Sequence, residues 1–174
     1  MPGRNKVYII GFMGSGKTTT GRKLASMLGW SFTDLDLGIE KHTGMTIPQI
    51  FSEKGEAYFR EVEADMLRKL HTATRTVIST GGGAPVYSDN MDYMLETGLT
   101  IYLKLTPGQL KTRLAASDGE RPLITKLNDE ELLSFIEDKL QFREKWYSRA
   151  ELTVSGFDTD MRAIFSEVQS RINL

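Results

Sequence analysis

The chain has 174 residues and no cysteine, so disulfides and thiolate metal sites are excluded. It also has no apolar run approaching the ~20 residues of a membrane-spanning helix. The opening MPGRNKVYIIGFM has a short apolar core that runs straight into a glycine loop. It reads as a first strand rather than a signal peptide, and a cytoplasmic protein is expected. Charge of one sign is missing too. Lys and Arg total 22, Asp and Glu total 23, and the net charge is -1. Such a balance gives no general pull toward nucleic acid or an anionic membrane. Proline is sparse at 5 residues, and there is no repeat, low-complexity tract or linker to mark a domain boundary. A single domain over 1–174 is expected.

What is present is an alternation of strand and helix signals. KVYIIGF at 6–12, SFTDLD at 31–36, TVIST at 76–80, LTIYLKL at 99–105 and the weaker ELTVSG at 151–156 read as strands. Helical patterns fall at 17–28, 54–71, 88–97, 107–116, 129–148 and 160–172. TIPQIF reads as a further short helix on the acceptor side of a cleft, with Thr46 and Gln49 at capping-box spacing. The order predicts an α/β fold: a three-layer αβα with a central five-stranded parallel sheet. Ligands of such sheets bind at the carboxyl ends of strands. Gly11, Asp34, Asp36 and Gly81 all fall at such ends.

GFMGSGKT at 11–18 completes the pattern G-x-x-x-x-G-K-S/T between a strand and a helix. Glycines let the backbone wrap an anion with its N–H groups pointing inward, and the helix offers its positive end. Gly14, Ser15, Gly16, Lys17, Thr18 and Thr19 are therefore candidate nucleotide-binding residues. Lys17 supplies charge to the outer phosphates, and the Thr18 hydroxyl suits magnesium.

The destination of the phosphate has to be read elsewhere. The Asp-x-x-Gly and Asn-Lys-x-Asp strings of a guanine-nucleotide switch are absent. The third strand runs instead into Gly81-Gly82-Gly83, which is either a turn or a place where something approaches the backbone closely. Asp34 and Asp36 lie two apart, on one face if the strand persists, and suit a metal and a hydroxyl proton respectively. The competing reading is a polar strand end that caps the next helix.

Two arginines break hydrophobic stripes. In GEAYFREVEADMLRKL, Phe59, Val62, Met66, Leu67 and Leu70 form the stripe, Glu63 falls inside it, and Arg60 sits three residues earlier at its margin. In DEELLSFIEDKLQFREKWY, Arg143 lands among Leu132, Leu133, Ile136, Leu140 and Tyr147. Arginine faces a core only to meet an anion or to pack its stem, and a bidentate small acid fits it. The loop RLAASDGERPLI at 113–124 carries Arg121, suited to close over a nucleotide.

The ordered set resembles the shikimate kinase family. It comprises GFMGSGKT at 11–18, FTDLD at 32–36, FREVE at 59–63, GGG at 81–83, RPLI at 121–124, and Arg143 with Tyr147. The resemblance implies a fold like the nucleoside monophosphate kinases with a mobile lid at about 112–124 and a substrate-binding segment at about 34–63. It implies transfer of the ATP terminal phosphate to the 3-hydroxyl of shikimate, with Mg2+, in chorismate and aromatic amino acid biosynthesis. Asp36 would serve as base candidate, and Arg60 and Arg143 would grip the carboxylate beside Gly81, Gly82 and Gly83. Glu63 would orient Arg60. Thr18 would ligate the metal, with Asp34 and Ser79 reached through water. Lys17 and Arg121 would stabilise the transferred group, and Arg113 would stack on adenine. A monomer acting on a small molecule, without nucleic acid or membrane, is expected. The family commonly carries Arg-x-Pro-x-Tyr where this chain has Arg143-Glu144-Lys145-Trp146-Tyr147. The alternatives are a related kinase for another hydroxy acid such as gluconate or for a nucleotide, and a non-catalytic nucleotide switch.

Overall fold

The computed structural model describes residues 5–117 and 123–172. Its strands are β1 (Lys6–Ile10), β2 (Ser31–Asp34), β3 (Thr76–Ser79), β4 (Leu99–Lys104) and β5 (Leu152–Ser155). They pair in parallel as one sheet in the order β2-β3-β1-β4-β5. The helices are α1 (Lys17–Leu28), α2 (Leu35–Thr43), α3 (Ile47–Glu53), α4 (Gly55–Lys69), α5 (Asn90–Thr97), α6 (Pro107–Ala115), α7 (Asp129–Tyr147) and α8 (Met161–Arg171). Among the described residues no helix is long and apolar enough to cross a membrane.

The apolar run of β1 follows from its central place, covered on both faces. Val7 and Ile9 point into a layer with Leu24 and Ala25 of α1 and Ile164 and Val168 of α8. Tyr8 and Ile10 point the other way, toward Leu35, Ile39, Leu67, Met94 and Tyr147. A third cluster of Phe12, Leu105, Leu110, Leu114, Leu132 and Ile136 packs α6 on α7 beside the end of β1. Capping boxes at Thr46/Gln49, Thr106/Gln109 and Asn128/Glu131 start α3, α6 and α7 by satisfying their first amides.

One expectation needs correction. The second strand does not run to residue 36. It ends at Asp34, whose Oδ1 accepts from the amides of Asp36 at 3.0 Å and Leu37 at 3.2 Å. That cap opens α2, so Asp36 sits in the first turn of a helix, not on a strand face. The short stretch LDLGIEKHT carries Gly38 and shows little periodicity, which hid the helix. The helix expected over 129–148 is found as α7, which runs unbroken through Lys145.

Leu67 is fully buried in the layer that seats α4 on the sheet. Leu67→Ala is expected to lower unfolding free energy by about 2–5 kcal/mol, measured by urea denaturation. A loss under 1 kcal/mol would mean that α4 is not held by this packing.

Candidate active site

The sheet order sets up the site. β1 lies between β3 and β4, so the loop after β1 and the glycines after β3 leave neighbouring strands at the same edge. Gly16 precedes α1 in a left-handed conformation with φ 93°, and α1 has neither a side-chain cap nor an acid in its first turn. Its first amides are thereby left to an anion. Lys17 Nζ donates to the carbonyls of Gly11 and Phe12, both at 2.9 Å. The Thr18 hydroxyl donates to Asp34 Oδ2 at 2.8 Å. Asp34 thus caps α2 with one oxygen and meets the phosphate loop with the other.

A cleft of 670 Å³ opens from this loop. Met13, Gly14, Gly16, Lys17, Thr18 and Thr19 of the loop line it, with Asp34, Asp36, Arg60, Glu63, Gly81, Gly82, Gly83 and Arg143. Gly82 lies against the loop, where a Cβ would stand 3.3 Å from the Met13 amide nitrogen. Leu37, Ile47, Pro48, Phe51 and Phe59 form an apolar wall.

The glycine triplet is explained by what surrounds it. A Cβ on Gly81 would stand 2.5 Å from Glu63 Oε1 and 3.2 Å from Asp36 Oδ1. One on Gly82 would stand 3.3 Å from Arg143 Nη1, and one on Gly83 would overlap the Arg60 guanidinium. None of the three has a positive φ. The absent side chains make room for four charged groups; backbone freedom is not the reason.

Glu63 has no exposed surface, and its Oε2 accepts from Arg60 Nη1 at 2.7 Å. Arg60 Nη2 also reaches Glu56 at 3.4 Å. Glu63 Oε1 has no hydrogen-bond partner. Burial pushes the Glu63 carboxyl up to about 7, with Arg60 opposing. Asp36 is raised as well, first by burial and then by Asp34, with Lys17 and Arg60 pulling it back. Its Oδ1 is also unpartnered. Arg143 is 8% exposed, lies over the Phe12 ring at 5.3 Å, and has an unpartnered Nη1. The Tyr147 hydroxyl donates to the Gly82 carbonyl.

Arg113 donates to the Ser15 carbonyl at 3.0 Å and the Gly156 carbonyl at 2.6 Å. It therefore braces the phosphate loop against the segment after β5. Sequence reading missed this brace, because nothing in the spacing of Arg113, Ser15 and Gly156 signals contact. The apolar wall was equally hard to see, although the capping box at Thr46 announced the helix that supplies Ile47, Pro48 and Phe51. Arg121 lies outside the described residues, as does part of the expected lid at 112–124; Leu123 lines the cleft.

A phosphate loop at the carboxyl edge of a parallel sheet, sharing one cleft with two arginines, defines a P-loop kinase of the nucleoside-monophosphate-kinase type. The family model for shikimate kinase matches residues 13–173. A curated shikimate kinase of Parabacteroides distasonis is 40% identical over 97% of this chain and 95% of its own length. The crystal structure of shikimate kinase from Bacteroides thetaiotaomicron superposes with TM-score 0.88 at 36% identity, covering 95% of this chain and 97% of that one. Shikimate kinase from Acinetobacter baumannii, solved in complex with shikimate, gives 0.83 at 34% identity, over 96% and 92%. The chain belongs to the shikimate kinase family. A gluconokinase from Sinorhizobium meliloti, at 16% identity and TM-score 0.57, shares the fold alone.

Glu63 generates a pH test. Its folded pKa is raised from 4.5 to about 7, so its contribution to stability is fully present below 4.5 and is lost as pH rises through 7. Relative to Glu63→Gln, the native protein is therefore expected to lose unfolding free energy between those values. Denaturation of both proteins across that range checks it, and a constant difference would contradict the raised carboxyl.

Proposed function

We propose that this chain transfers the terminal phosphoryl group of ATP to the 3-hydroxyl of shikimate, giving shikimate 3-phosphate for chorismate and aromatic amino acid biosynthesis. The observation that carries this reading is one cleft lined by the phosphate loop and by the guanidinium groups of Arg60, half-buried, and Arg143, buried. Two guanidinium groups beside a flat glycine floor suit a carboxylate on a ring.

The geometry supports these roles, and the family resemblance supplies those of Arg121 and of Arg113 at adenine. Gly14, Gly16, Thr18 and Thr19 offer backbone N–H groups to the phosphates, while the Ser15 amide closes the loop on the Phe12 carbonyl at 3.1 Å, and Lys17 exchanges its loop carbonyls for phosphate oxygens. Arg60, braced by Glu63, and Arg143 bind the acid and turn the hydroxyl toward the nucleotide. Asp36, buried with an unpartnered oxygen, takes the hydroxyl proton. The attacking oxygen bonds to phosphorus as the bond to the ADP oxygen breaks. Arg121 adds charge to the transferred group, and Arg113 stacks on adenine while its edge braces the loop.

Thr18 and Asp34 present an all-oxygen pair in one hydrogen bond, and among the described residues no cluster of His, Asp and Glu could hold a metal by itself. This fits Mg2+, which takes oxygen ligands and relies on waters and substrate phosphates. Thr18 would hold it directly and Asp34 and Ser79 through water; when bound it neutralises phosphate charge. A monomer is part of this proposal. The near-neutral charge, with no general pull toward nucleic acid or an anionic membrane, supports a small-molecule substrate, and a cytoplasmic location is proposed with it.

A coupled ADP-release assay with shikimate, with gluconate and with water alone tests the reading. Shikimate is expected to be the efficient acceptor; equal rates with water would reject an acceptor kinase, and preference for gluconate would move the substrate. Asp36→Asn is expected to lower kcat about 10²-fold or more while the KM for ATP stays within a few-fold. Unchanged kcat would remove the proton-accepting role and leave positioning as the source of rate.

A further inference from the structure

We propose that Glu144 is a positioning residue for Arg143, acting through Tyr102 of β4. The inference rests on the reading of Arg143 as a carboxylate-binding group. The two arginines are held by different means. Arg60 has Glu63 and Glu56. Arg143 has an unpartnered Nη1 and a ring, Phe12, beneath its guanidinium. Its place is therefore set by the helix that carries it and by Tyr147, one turn on along the same helix.

That helix is fastened immediately beside Arg143. Glu144 Oε2 accepts from the Tyr102 hydroxyl at 2.9 Å, and Oε1 accepts from Lys104 Nζ at 3.0 Å. Tyr102 and Lys104 are two apart on β4 and share a face. Lys104 is 57% exposed, so its ion pair contributes little. Tyr102 is 1% exposed, and its hydroxyl bond is the anchor. The Tyr102 ring packs on Tyr147 at 5.0 Å, and Tyr147 reaches Gly82. Arg143 is thus bracketed by two fastenings, one to β4 and one to the glycine floor. Because α7 is continuous through Lys145, a shift at Glu144 is carried directly to Arg143. Burial and the Glu144 carboxylate both push the Tyr102 phenol up, which keeps it a donor at all working pH values. Among the described residues Arg143 makes no ion pair, so its open Nη1 is kept for the substrate.

The test measures kcat, KM for shikimate and for ATP, and the thermal midpoint in Glu144→Ala, Glu144→Gln, Arg143→Ala and the double variant Arg143→Ala/Glu144→Ala. Glu144→Ala is expected to raise the shikimate KM about tenfold, with kcat and the ATP KM within about twofold. Glu144→Gln keeps an oxygen for Tyr102 and is expected to restore a KM close to native. In the Arg143→Ala background, removing Glu144 is expected to add nothing. An unchanged shikimate KM in Glu144→Ala, an equal rise in both KM values, or an undiminished effect in the Arg143→Ala background would each overturn the inference. If Glu144→Ala does not fold, Tyr102→Phe removes the same anchor and is read against the same outcomes. An Arg143→Ala enzyme with native shikimate KM would instead sink the reading of the site itself.

Discussion

A carboxylate buried beyond the reach of solvent is the constraint around which this cleft is organised. Glu63 has no exposed surface, and among the described residues only one of its oxygens is met, by Arg60. Burying an ionised group without a partner is costly, and the pair with Arg60 offsets only part of that cost. What results is a fixed guanidinium at the cleft wall. The glycine triplet exists to leave room for this pair and for Asp36 and Arg143. Stability conceded at Glu63 becomes rigidity at Arg60.

The sheet order makes that rigidity useful. With β3 beside β1, the glycine floor and the phosphate loop are neighbours before any side chain is placed. Asp34 then joins the two ends, capping α2 while accepting from Thr18. The helix that presents Asp36 is thus started by a residue that also touches the nucleotide end. Membership of the shikimate kinase family gives this layout its chemical sense: a ring acid and a triphosphate have to meet at a fixed distance.

Much of this was legible in the residues. The phosphate loop has a pattern imposed by anion geometry, and each arginine betrayed itself by interrupting an apolar stripe; Arg143 is indeed buried and Glu63 fully so. The central strand was plain because both its faces are covered. Less could be read where contact is nonlocal. The α2 helix was missed because a cap and a strand end share the same residues, Asp34 to Asp36. The bond from Arg113 to Ser15 spans 98 positions and leaves no periodic trace. The triplet announced close approach, but which charged groups approach is decided by the fold.

The ammonium of Lys17 rests on two carbonyls of its own loop, and the Thr18 hydroxyl on a neighbouring carboxylate. The cradle therefore never waits as a bare cation. In the proposed reaction, nucleotide arrival is a swap of partners at Lys17 and Thr18, while the uncapped first amides of α1 gain theirs. Charge counting overstates the net grip on such a ligand, and the same latches reclaim their donors once the spent nucleotide departs, easing its exit.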